Sequence, residues 1–257
     1  MKDLSDYYSN LVHPFPTTDK NHQITALNSP LITDPPHPLC LLAAKELQHY
    51  LANQNELQHN FGLAADMDGS VIGKMFGVLV IETRSGLLGY LSAFSGKLGG
   101  SNQHKKFVPP VFDSLKEGDF LNAGMIELKK LSEKITLLRA DAASNQTQIE
   151  SLKAKRKLRS FNLQQQLFQQ YHFLNAKGIS KSLIELFTNA SYRQPPAGAG
   201  ECAAPKLLQY AFQHSLKPIA MAEFWWGLSP KSASWKHGHF YAPCIEKCQP
   251  ILAHMLS

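Results

Sequence analysis

Three of the four cysteines fall late in the chain, at Cys202, Cys244 and Cys248, and His237 and His239 stand just before the last pair. Thiolates and imidazoles are the ligands zinc prefers, and a structural zinc site takes four of them in a tetrahedron. Cys244 and Cys248 are four residues apart, which on a helix puts both thiols on one face. Cys202 sits at the start of an expected helix. His237 and His239 alternate on one side of an expected extended segment. The candidate metal site is therefore Cys202, His239, Cys244 and Cys248, with His237 as the other choice of histidine and structural zinc as the expected cofactor. The competing reading packs the thiols as small buried hydrophobes and leaves the histidines in solvent. The Cys-x-x-x-Cys spacing also departs from the common Cys-x-x-Cys knuckle.

A second chemistry is carried by charge. The net charge is +6, and between Met125 and Ser160 there are 9 Lys/Arg against 4 Asp/Glu. Lys153, Lys155, Arg156, Lys157 and Arg159 crowd the second half of that segment. Such a stripe suits an anionic partner, and RNA is the first expectation. A solvated helix face is the alternative. Phe224, Trp225 and Trp226 offer stacking surfaces for bases but read more simply as core. Lys206, near a helix start, reads as a solvated lysine before a phosphate contact. Gly96-Lys97-Leu98-Gly99-Gly100 lacks the spacing of a phosphate loop and reads as a turn.

These groups need elements to position them. Leu39, Leu42, Ala43, Leu47, Tyr50 and Leu51 recur at helical spacing and predict a helix over 38–53, with Cys40 buried in it. Met75–Thr83 and Leu87–Phe94, joined by Arg84-Ser85-Gly86, predict a hairpin of two largely buried strands. Over about 121–175, Leu128, Leu131, Ile135, Leu138, Ala142, Asn145, Ile149 and Leu152 step by three and four as a heptad seam. Leu158, Phe161, Leu167 and Phe168 follow as further apolar anchors. The segment is either one continuous helix or a helical hairpin broken near Ala143-Ser144-Asn145. Such an arm has too little apolar surface for an ordinary core, so it is expected to project, pair with a second copy or pack on a partner. Shorter elements follow: a helix over 180–190, a helix from Ala203 with Pro205 in its first turn, a strand over 219–226 and a helix from Cys244. The expected organisation is a loop-rich lead-in over 1–36, an α/β domain from 37–115 and 190–257, and a helical arm over 116–189. The fold class is α+β.

At 257 residues, 44% hydrophobic and 18% charged, the composition is that of an ordinary globular chain. No apolar run reaches the length of a membrane span, and the polar start lacks a secretory signal core. A cytoplasmic location follows as the expectation, where thiols stay reduced and clustered cysteines point to metal before disulfide.

The order of helix 38–53, hairpin 75–94, helix 203–214, strand 219–226 and helix 244–256 resembles that of the zinc-dependent cytidine deaminases. That family places a His or Cys ligand at one helix start, a Glu two residues on, and Pro-Cys-x-x-Cys at the next helix. Cys202 and Pro243-Cys244 fit this pattern. Ala204 stands at the Glu position, so the resemblance implies a relative without the usual proton shuttle. Glu201 and Glu223 are the carboxylates that could replace it.

Three longer strings resemble the N-terminal region of long RluA-type RNA pseudouridine synthases. They are Pro-Ala-Gly-Ala-Gly-Glu-Cys-Ala-Ala-Pro-Lys-Leu-Leu (196–208), Lys-Pro-Ile-Ala-Met-Ala-Glu-Phe-Trp-Trp-Gly (217–227) and His-Gly-His-Phe-Tyr-Ala-Pro-Cys (237–244). In that family a following catalytic domain isomerises uridine with an Asp in a His-Arg-Leu-Asp motif. No Arg-Leu-Asp occurs here. The resemblance implies an RNA-binding accessory region, inactive alone, working on ribosomal or transfer RNA beside a following domain. The amphipathic end of the chain carries the same expectation. A homodimer through the arm is the structural alternative.

Overall fold

The computed structural model describes residues 11–15, 31–63, 72–116, 119–190, 194–231 and 234–257. Residues 1–10 and 16–30 of the expected lead-in, and the side chain of Ala142 in the expected seam, lie outside the described residues. The chain divides into two compact units, one of Met1–Val111 with Phe173–Ser257 and one of Phe112–His172.

The first unit is built on a five-stranded antiparallel sheet. Its strands are β1 (His13–Pro14), β2 (Lys74–Glu82), β3 (Leu88–Phe94), β6 (Lys217–Trp226) and β7 (Phe240–Tyr241), in the spatial order β1-β3-β2-β6-β7. A second, two-stranded sheet joins β4 (His172–Leu174) to β5 (Ser180–Ser182). The fold is thus mixed α+β with two sheets.

β2 lies at the centre because its apolar run can be buried on both faces. Phe76, Val78 and Val80 point to one side, with Ala220, Ala222 and Phe224 of β6 and Tyr90 and Phe94 of β3. They meet Leu39, Cys40, Ala43, Leu47 and Leu51 of α1 (Pro38–Asn53), whose helical spacing collects these residues on one stripe. α1 starts at Pro38, where no amide donor is lost, and the His37 ring accepts from Leu39 N at 3.2 Å.

The opposite face of β2 carries α5 (Ala203–Gln213), which packs across β2, β3 and β6. Gly77 makes this possible. A Cβ there would stand 3.0 Å from Ala203 Cβ and 3.0 Å from Leu207 Cδ1. α6 (Ile245–Met255) packs on α5 and on α4 (Leu183–Asn189). α4 begins with a capping box in which Ser182 and Glu185 bond reciprocally. The sequence assigned 173–189 to the arm. In the fold this stretch belongs to the first unit, where His254 Nε2 reaches Phe173 O at 3.1 Å and Ile179 O at 3.2 Å.

The second unit holds α2 (Phe120–Leu138) and α3 (Ala142–Gln170), separated by a 3-10 turn at Arg139–Asp141. Asp119 caps α2 by accepting from Phe120 N at 2.7 Å. Leu128, Ile135, Ile149 and Leu163 are buried. Arg159 Nε donates to Glu127 at 2.7 Å, and Arg156 Nε donates to Ser132 Oγ at 2.7 Å. The sequence expectation fails at two anchors, because Leu158 is 62% exposed and Phe161 44% exposed. Leu163 lies two heptads beyond the buried Ile149 and takes the next buried position, whereas Leu158 and Phe161 fall off that phase. Asn145 does not sit as a buried polar seam residue. It folds back to donate to Asp141 O at 2.8 Å. No helix among the described residues is long and apolar enough to cross a membrane.

Candidate metal centre

Two helix starts converge on one point. Cys202 is the N-cap of α5, and Cys244 is the N-cap of α6, with Cys248 one turn along the same helix. The Cys202 side chain makes no capping bond to the backbone of its own helix. The Sγ atoms of Cys202, Cys244 and Cys248 all lie within 4.8 Å of one another, and Cys244 Sγ stands 3.4 Å from Cys248 Sγ. Cys248 is buried, Cys202 half-buried and Cys244 exposed.

Hydrogen bonding among the three sulfurs holds the Cys244 thiol well below the usual range, and the backbone at Lys247 and Cys248 at the α6 start adds to the effect. The same sulfur contacts, with burial, push Cys202 and Cys248 up. Three thiols this close are a ligand set that a soft divalent cation completes by displacing their protons. The fourth cysteine contrasts with these. Burial among leucines pushes Cys40 up to about 12, and it remains a packing residue.

Neither expected histidine joins the trio among the described residues. His239 is exposed, and its backbone carbonyl accepts from Trp225 N at 2.9 Å. His237 Nδ1 accepts from Gly227 N at 2.9 Å, and its ring lies 4.2 Å from that of Trp226. The Gly227 amide thus engages the His237 ring, whereas His239 is engaged through its backbone.

A carboxylate stands beside the thiols instead. Glu223 is 5% exposed in the middle of β6, on the α5 side of the sheet. It faces Gly77 across the ladder, where the missing side chain leaves room for it. Its Oε1 accepts from Ala204 N at 3.0 Å, so Glu223 supplies α5 with the cap that Cys202 does not. Burial raises its carboxyl to about 7, against the pull of the Ala204 amide, and the charge on Cys244 raises it further. The carboxylate is close enough for its charge to act on Cys202 and Cys248 as well. The sequence named Glu223 only as a possible substitute. The available signal was a single acid inside an otherwise apolar strand.

A cavity of about 270 Å³ opens at the edge of β6. It is lined by Met221, Ala222 and Glu223, by Phe240, Tyr241 and Ala242, and by the segment at Ile32, Thr33, Asp34 and Pro36. Leu31 O accepts from Met221 N at 2.7 Å, so this segment pairs with β6 where β7 leaves it free.

Other residues singled out by sequence have structural duties. Lys206 is neither solvated nor free for phosphate. It is 2% exposed, with Nζ 3.2 Å from Phe94 O, 3.3 Å from Gly96 O and 3.5 Å from Glu201 Oε2. Phe224, Trp225 and Trp226 are all buried. Of the basic stripe, Arg156 and Arg159 are committed to Ser132 and Glu127, while Lys153, Lys155 and Lys157 are exposed. The chain matches no protein-family model, no curated protein and no solved structure.

Proposed function

We propose that this chain is a zinc-binding module with the element order of the zinc-dependent deaminases. Cys202, Cys244 and Cys248 hold the metal, and one coordination position is left to a water or substrate atom. The observation that carries the reading is the convergence of three thiols within 4.8 Å at the starts of two helices. Structural zinc sites are closed by four protein ligands, whereas catalytic ones keep three and an open position. Three thiols with a buried carboxylate alongside match the second pattern. Bound there, zinc would supply Lewis acidity at the position the thiolates leave free.

Metal content of the purified chain tests this. About one zinc per chain is expected for a single site of this kind, retained in His239→Ala and lost in Cys248→Ser. A chain that takes up no zinc under reducing conditions would return the thiols to simple packing.

The α2–α3 pair is proposed as a helical hairpin that contacts RNA, in keeping with the resemblance to the accessory region of pseudouridine synthases. The exposed Lys153, Lys155 and Lys157 favour this reading. Reversing all three to Glu is expected to weaken binding to a structured RNA and to lower the slope of log K against log salt by roughly two to three. Unchanged affinity and slope would remove RNA from this face.

A further inference from the structure

We infer that Cys244 and Cys248 form an oxidation site, in which hydrogen peroxide joins the two sulfurs in a disulfide and so releases the metal. The inference rests on the metal reading above and adds to it a means of unloading the site.

Geometry selects the pair. Cys244 Sγ stands 3.4 Å from Cys248 Sγ, so the two sulfurs are already in contact. They differ in access. Cys244 is exposed at the α6 start, whereas Cys248 is 1% exposed and Cys202 is half-buried. An oxidant arriving from solvent therefore meets Cys244 first. Cys248 stands behind it as the resolving thiol, the arrangement that stops an exposed cysteine from passing to irreversible acids. Cys40 takes no part, because it is sealed in the core beneath α1.

The local fold lets the bond form. A disulfide brings its Cβ atoms to about 3.8 Å. Side chains one turn apart on a regular helix hold theirs about 5–6 Å apart. The first turn of α6 must therefore shift as the bond closes, and little holds that turn in place. Ile245 is 69% exposed and Glu246 is exposed, so no packed apolar surface resists the movement. Cys244 has extended rather than helical dihedrals, and its carbonyl accepts one bond, from Cys248 N at 3.1 Å. The later turns are anchored. Ile251 and Met255 are fully buried, and the His254 ring lies within hydrogen-bond reach of Phe173 O and Ile179 O. The change is thus confined to the end of α6 that carries the thiols.

The step balances. In the metal-bound site both sulfurs are thiolates. The Cys244 sulfur bonds to one peroxide oxygen, the O–O bond breaks, and the departing hydroxide takes a proton from solvent. Cys244 is then a sulfenic acid. The Cys248 sulfur bonds to the Cys244 sulfur, the S–O bond breaks, and a second hydroxide leaves and takes a second proton. Two electrons pass from the sulfurs to the peroxide, which ends as two waters. Of the three thiolates only Cys202 remains, too few to hold the metal.

The test uses the full chain, loaded with zinc under reducing conditions and freed of excess metal and reductant. Zinc uptake is measured before any oxidant is added. A chain that takes up none would sink the metal reading, and this inference with it. Hydrogen peroxide is then added, zinc release is followed with a chromogenic chelator, and the sulfurs are mapped by mass spectrometry. Tryptic cleavage after Lys247 separates Cys244 from Cys248, so their disulfide appears as two linked peptides. About one zinc released per Cys244–Cys248 disulfide is expected, with zinc taken up again after reduction by a dithiol. Zinc retained under peroxide that fully oxidises glutathione would overturn the inference. A disulfide mapped to Cys202 would overturn the pairing. Zinc lost with Cys244 found as a sulfinic acid, and no recovery on reduction, would overturn the resolving role of Cys248.

Discussion

At His59, burial and then the nearby Lys74 charge depress the imidazole to about 4, and its side chain is 4% exposed. Its Nδ1 accepts from Phe61 N at 3.1 Å, which requires the neutral ring. The unfolded chain titrates this group near 6.5. Below that pH the unfolded state takes a proton that the folded state refuses. The stability contributed by neutral His59 is therefore complete above about 6.5 and is lost as pH falls towards 4. The loss should amount to roughly 1–3 kcal/mol. Denaturant titrations at stepped pH should show it in the wild type and a flatter profile in His59→Gln. A wild-type profile equally flat between pH 7 and 4 would contradict the burial of this ring. At the same scale, the clustering of the three cysteines was legible from their spacing, since a four-residue separation and a helix start dictate where thiols point. The histidines were not. Nothing in their spacing shows that the Gly227 amide captures the His237 ring.

Among the elements, the close approach of α5 to the sheet at Gly77 sets the whole site. It brings Ala203 and Cys202 down to the level of Glu223. Gly77→Val would place two methyl groups against Ala203 and Leu207, and α5 would have to lift. Overpacking of this kind costs about 1–3 kcal/mol. The same shift would draw Cys202 away from Cys244 and Cys248. The variant is expected to melt lower and to bind zinc more weakly than wild type, measured by thermal denaturation and by competition with a chromogenic chelator. Unaltered zinc affinity would show that α5 does not position the site through this contact. The main helices and the central strands were readable because their apolar periodicities are long. The helix expected over 38–53 is α1 at Pro38–Asn53. The two-residue strands β1 and β7 and the β4–β5 pair carry no periodicity that a sequence could display. In the arm, Leu128, Ile135 and Ile149 of the expected seam are buried, while Leu158 and Phe161 lie off its phase and are exposed.

Across the molecule, the exposed Lys153, Lys155 and Lys157 belong to the unit of Phe112–His172, whereas the thiols, Glu223 and the acidic cavity belong to the unit of Met1–Val111 and Phe173–Ser257. A net count of charges along the chain finds the first and says nothing of the second. The cavity was invisible in the sequence because it forms between segments far apart in the chain, Ile32 to Pro36 on one side and Met221 to Ala242 on the other. The central claim is a metal held by three thiolates with one position open. X-ray absorption at the zinc edge of the purified chain tests it most directly. The expected shell holds three sulfurs at about 2.3 Å and one lighter atom without the back-scattering of an imidazole ring. A shell closed by a histidine or by a fourth sulfur, or a chain that retains no zinc, would contradict it.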